Sequence, residues 1–189
     1  DWLHELEVQY DASTFDTDPF EPQPNGGNTI FPFWVPRSNG ASGSGDESGS
    51  LDGYVELPYT LPQDSTLFLL LREATPEIWV RKLNWIAKHG GMVLIDVHPD
   101  YMSFDTSRQI STQYPVTLYR QFLHYVKTRY AGQYWHVLPK QVASYVRMSL
   151  KPHNTLDGLR RRRLFGKHAA VLLFSHYPAD PRPRRAAEA

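Results

Sequence analysis

Apolar positions along the chain fall into blocks of distinct period, and each block predicts an element. Trp2, Leu3 and Leu6 share a helical face, and Val8 and Tyr10 then lead into Asp11-Ala12-Ser13, a strand end passing into a turn. Residues 14–28 are rich in Asp, Pro, Gly and Asn and predict a long loop. Residues 29–35 are apolar enough for a short strand, and Pro32 makes it an edge or irregular one. Residues 37–53 are dominated by Ser, Gly, Asp and Asn, the composition of a flexible surface loop. Residues 54–60 alternate as a strand does, and 67–71 form a brief apolar run that suits helix or strand equally. Thr75-Pro76 predicts a helix start, with Thr75 as cap and Pro76 at the first helical position. Ile78, Trp79, Leu83, Trp85 and Ile86 give that helix a stripe to bury, and His89-Gly90-Gly91 stops it.

The next run, 92–97, is apolar apart from Asp96, as in a strand covered on both faces. A second helix from near Pro115 to about Tyr130 carries Val116, Leu118, Tyr119, Phe122, Leu123 and Val126. Residues 134–138 predict a short strand, Pro139 opens a helix to about Leu150, and 169–174 predict another buried strand. Helices and strands alternating over short links favour a parallel α/β arrangement. Residues 1–150 are expected to form one domain, 151–167 a polar, basic linker, and 168–189 either the start of a second domain or a tail. No internal repeat of fixed period is visible.

Composition narrows the function classes. Twenty basic and twenty acidic side chains cancel in 189 residues, which disfavours a nucleic-acid partner. The arginine run 160–163 is read as a solvated linker in preference to a phosphate or membrane contact. The absence of cysteine excludes disulfides, thiolate zinc sites and cysteine nucleophiles. No apolar run approaches the roughly 20 residues of a membrane span. No signal peptide is visible, so a cytoplasmic location is expected, although Asp1-Trp2 starts inside a helical pattern, as a truncated N-terminus would. The oligomeric state is not legible.

In parallel α/β sheets, functional groups gather beyond the carboxyl ends of strands, where His98-Pro99-Asp100-Tyr101 falls. Pro99 forces His98 into an extended conformation and presents its imidazole at a rim, as general acid–base work requires. Asp96 and Asp100 flank it, and either could orient the ring. The plainer alternative is a packed strand-end histidine with Asp100 capping the following turn. For Trp34, Tyr54, Tyr59 and Tyr101, stacking on sugar rings competes with ordinary aromatic packing. His89 at a helix C-terminus, and His124 and His136 beside apolar elements, read as structural.

Several blocks together carry a resemblance. The segments Leu6-Glu-Val-Gln-Tyr-Asp-Ala-Ser-Thr-Phe-Asp-Thr-Asp-Pro-Phe20, Gly53-Tyr-Val-Glu-Leu-Pro-Tyr-Thr-Leu-Pro-Gln-Asp64, residues 79–91 and residues 92–101 with Val97-His98-Pro99-Asp100 resemble the C-terminal half of the polysaccharide deacetylase (NodB-homology) family over about residues 1–150. The resemblance implies a partial distorted (β/α) barrel and removal of N-acetyl groups from a carbohydrate substrate by water activated on a divalent, zinc-like metal. It further implies His98 as general acid protonating the leaving amine and Val97 in the acetyl-methyl pocket. Asp100, Tyr101, Asp11 and Glu56 would complete the pocket, with Asp64 reaching the same rim and Asp11 near a position that supports the base. The family's paired aspartates and His-x-x-x-His metal pair have no counterpart in these 189 residues. The chain by itself is therefore expected to bind no metal and to be inactive alone. Residues 168–189 resemble the opening strand, loop and helix of sugar-nucleotide glycosyltransferases of the GT-B type, a pairing suited to polysaccharide assembly. Two rival readings remain at this stage: a non-catalytic carbohydrate-binding or scaffold module, and a different hydrolase built on Asp96, His98 and Asp100 alone.

Overall fold

The computed structural model describes residues 2–18, 23–36, 53–105, 111–150 and the strand at 169–173. The short helix α1 (Trp2–Glu5) leads into strand β1 (Tyr10–Asp11). Strand β2 (Phe33–Pro36) pairs antiparallel with β3 (Gly53–Glu56), and β1 pairs with β3 in parallel, giving the order β1-β3-β2. Pro32 immediately precedes β2, which lies at the sheet's edge, where no neighbour needs the missing N–H.

The undecided run near Leu67 forms a π-helix, Ser65–Leu70, with the Leu71 N–H reaching the Thr66 carbonyl five residues back. Helix α2 spans Glu77–His89. Its N-cap is Pro76, with no side-chain cap bond, so the helix begins one residue later than expected and Thr75 does not cap it. Gly90 ends it at φ 76°, a conformation that side-chain-bearing residues rarely take. Strand β4 (Met92–Ile95) follows, then the short pair β5 (Met102–Ser103) and β6 (Tyr114–Pro115), helix α3 (Val116–Arg129), strand β7 (Tyr134–Trp135) and helix α4 (Pro139–Leu150). Strand β8 (Ala169–Leu173) runs parallel to both β4 and β7, in the order β4-β8-β7. The remainder of the expected second unit, the linker and the 37–52 loop lie outside the described residues.

The described residues thus form a mixed α/β protein with four α-helices and three small sheets, none of which closes into a barrel. Strand β4 is its centre. Val93 and Ile95, with Val97 beyond the strand, pack into a core with Leu61, Phe68 and the buried faces of α2 and α3. Met92 and Leu94 face the opposite way, onto Val55, Leu57, Tyr59 and the α4 residues Val142, Ala143 and Val146. The period of two in an extended chain assigns alternate residues to opposite cores. That explains why this stretch reads as continuous apolar sequence. One member of the α2 stripe departs from expectation. Trp79, Leu83 and Ile86 are fully buried, whereas Trp85 is 51% exposed.

Candidate acid–base site

The chain from Leu57 to Asp64 runs alongside β4, tied to it by backbone and side chain. The Thr60 and Leu61 N–H groups both donate to the Leu94 carbonyl, at 2.9 and 3.2 Å. The buried Thr60 hydroxyl accepts from the Leu94 N–H at 3.0 Å and donates to the Met92 carbonyl at 3.0 Å. This coupling fixes where Asp64 falls: its N–H points to the Asp96 carbonyl at 3.4 Å, and its side chain meets His98.

Asp64 is fully buried and its carboxylate takes four donors. One oxygen accepts from the Ser65 N–H at 2.8 Å and from His98 Nδ1 at 2.7 Å. The other accepts from the His98 backbone N–H at 2.8 Å and from the Tyr114 hydroxyl at 2.9 Å. An ionised carboxylate only accepts, so Nδ1 is the protonated nitrogen of this pair and Nε2 is left as the working atom. The imidazole is 38% exposed, and the Asp96 carboxylate lies 3.8 Å from Nε2, an ion-pair distance beyond hydrogen-bond range.

The surroundings hold this arrangement rigidly. His98 is extended, at φ −112° and ψ 111°, as expected before a proline, and Pro99–Tyr101 then form a 3₁₀ turn. The turn returns the Tyr101 ring to 5.1 Å from the imidazole. Behind Asp64, Phe68 packs on Tyr114 at 4.6 Å and edge-on to Trp79 at 4.9 Å. The Trp79 indole N–H donates to the Pro62 carbonyl at 2.7 Å, which anchors the turn before Asp64. Burial first, then the Asp64 charge and the hydrogen bond to it, push the Tyr114 hydroxyl well above its ordinary range, so it remains a donor. Burial and the same charge also raise Tyr119.

Ring orientation, expected of Asp96 or Asp100, therefore comes from Asp64. Asp100 is exposed, with its carbonyl accepting from the Gln113 side chain at 3.2 Å. Val97 is fully buried in the core behind the site. Tyr101 stands beside His98, partly buried against that core. Asp11 and Glu56 meet each other instead, as partners across the β1–β3 ladder. Asp11 accepts from the Ala12 N–H at 2.9 Å and the Ser13 hydroxyl at 2.8 Å, a turn-capping pattern. Glu56 accepts from the Thr14 hydroxyl at 2.6 Å and the Thr14 N–H at 3.2 Å. Burial raises its carboxyl, the Thr14 bonds pull it down, and the Asp11 charge raises it again. Trp34, Tyr54 and Tyr59 belong to the packing: Trp34 lies under the Arg147 guanidinium at 5.4 Å, Tyr59 tilts against Phe15 at 5.9 Å, and Tyr54 is buried.

Asp64 and Tyr114 are the residues that sequence reasoning did not assign to His98. Asp64 was visible as an acid closing a proline-rich turn, but its partner depends on a register that pattern does not reveal. Tyr114 carries no sequence signal beyond its place just before a helix.

Among the described residues, no group of three or more His, Asp or Glu side chains is placed to hold a metal ion. The described residues thus do not include the zinc-like site that the resemblance implies, and no step below runs through a metal. The arrangement itself fixes the ring's orientation and tautomer and leaves Nε2 as the nitrogen that can take up a proton and then give it up. Comparisons with protein-family models, curated proteins and solved structures find no match to this chain. None of the helices among the described residues is long and apolar enough to cross a membrane.

Proposed function

We propose that the chain is part of a sugar N-deacetylase of the NodB-homology type, built as a partial distorted (β/α) barrel, with His98 as its general acid. The observation that carries this reading is the buried Asp64 carboxylate on His98 Nδ1, which leaves Nε2 at the end of β4 as the nitrogen that takes up a proton and, in the imidazolium, donates it. A general acid at that position protonates the departing nitrogen as the C–N bond of the N-acetyl group breaks. Once water has added to the carbonyl carbon, the C–N bonding pair goes to nitrogen, the proton leaves Nε2 of the imidazolium, and acetate and a free amine result. Asp64 stabilises the imidazolium formed when the ring is reprotonated, and Tyr114 positions Asp64. Activation of the attacking water, which the resemblance gives to a metal and an aspartate, is assigned to none of the residues described here.

The test is acetate release from N-acetylated oligosaccharide by the intact protein. His98→Ala lowers turnover by roughly 10²–10⁴-fold, the usual contribution of a positioned acid. An unchanged rate removes His98 from the mechanism. Saccharide binding without any acetate release in the wild type favours a non-catalytic carbohydrate-binding module instead.

A further inference from the structure

Trp85 breaks the burial pattern of α2, and it does so beside a cavity of about 500 Å³. One wall is the exposed side of α2, where Lys82, Trp85 and His89 follow at intervals of three and four residues and so share a face. The other wall is the segment from Asn28 to Phe31, anchored where the Ile30 carbonyl accepts from the Met92 N–H at 2.8 Å. Asp16 and Thr17 close one end.

The chemistry of this groove is specific. Trp85 presents an exposed indole whose position is fixed by the His89 ring, 4.5 Å away and tilted 32°. His89 is itself held, its Nδ1 lying 2.7 Å from the Trp85 carbonyl. Lys82, the lysine lining the groove, is neutralised by Asp16 at 2.6 Å and also donates to the Thr17 hydroxyl at 3.3 Å. A flat aromatic platform with a charge-compensated rim of hydroxyl and amide groups suits an uncharged ring that is apolar on its faces and polar at its edge. Sugar rings have that construction; phosphates and carboxylate-rich polymers do not.

We propose that this groove is a saccharide-binding site, separate from His98, in which a neutral sugar ring stacks on Trp85. The groove adjoins the start of β4, whereas His98 lies beyond its end, so the two are separated by roughly 20 Å of extended chain. The site would hold a polymer at a point remote from the bond to be cleaved. It rests on the deacetylase reading only in the choice of an N-acetylated oligomer as first probe.

The test is calorimetric titration of the protein with hexamers of N-acetylglucosamine, of glucose and of galacturonic acid. A neutral hexamer binds, the uronate hexamer does not, Trp85→Ala weakens binding at least 10-fold, and Trp85→Phe retains most of it. Unchanged thermal midpoints in both variants, expected at a half-exposed position, show that the fold is kept. The proposal falls if neither neutral hexamer binds, if the uronate binds best, or if Trp85→Ala binds as the wild type does. Trp85-dependent binding without acetate release by the intact protein removes the deacetylase reading alone; His98-dependent release by the intact protein without Trp85-dependent binding removes the groove alone.

Discussion

Both oxygens of Asp64 are saturated by donors, and that makes the residue intolerant of a nearly isosteric change. Asp64→Asn puts an amide N–H₂ where two donors already point, leaving at least one buried donor without a partner. Stability should fall by about 1–3 kcal/mol, read from denaturant midpoints. The imidazole should also lose its fixed tautomer, which ¹⁵N shifts of His98 report directly, and turnover should fall on the order of 10²–10⁴-fold. Retention of the wild-type ring shifts would mean that Asp64 does not set the tautomer. Tyr114 gives a pH signature. Its hydroxyl is raised in the folded state above the ordinary value of 10.0. The folded protein therefore holds a proton that the unfolded chain releases near pH 10, and stability is full below that pH and declines above it. Tyr114→Phe removes this contribution, so the alkaline decline becomes shallower. It does not vanish, because Tyr54, Tyr119 and Tyr130 are raised as well. An unaltered alkaline slope in Tyr114→Phe would refute the assignment.

The paired carboxylates of the β1–β3 ladder make the complementary case among the elements. Glu56 is raised in the fold, so its protonated form is favoured there relative to the unfolded chain. The stability this brings is present below the ordinary value of 4.5 and is lost as pH rises through the folded value. Glu56→Gln keeps an oxygen to accept from Thr14 and removes the buried charge. The melting midpoint at pH 7 should rise and its dependence on pH above 4.5 should flatten; a lower midpoint at pH 7 would contradict this. Most elements were legible in the sequence because each has a local cause. The period of α3, the glycine stop after His89 and the proline opening α4 all lie within the residues they govern. What stayed hidden depends on distant partners. Trp85 fits the helical stripe of α2, yet the neighbouring wall at Ile30 leaves its ring facing a groove. The π-helix opens where the Asp64 side chain accepts from the Ser65 N–H, a start that apolar pattern in 67–71 cannot express. His98 was legible as a strand-end histidine before proline, whereas its orienting acid lies 34 residues earlier in the chain.

At the scale of the molecule, β4 works as a partition with a core on each face, the Trp85 groove beside its start and His98 beyond its end. The separation of Thr60 from Leu94 is also 34 residues, the same as that of Asp64 from His98. The stretches 60–64 and 94–98 therefore lie side by side with contacts at both ends, and the chain between Ser65 and Gly91 leaves and returns between them. That has a practical side for protein engineering. A peptide tag inserted at the exposed Ala74, inside that excursion, should leave the His98 ¹⁵N shifts where they are. A single glycine inserted after Leu61 carries Asp64 out of step and should abolish the Asp64-dependent shift pattern. If the two insertions perturb His98 equally, the matched spacing is a coincidence. If they differ as stated, a graft onto another scaffold has to carry the strips 60–64 and 94–98 together with the Phe68, Trp79 and Tyr114 side chains behind Asp64.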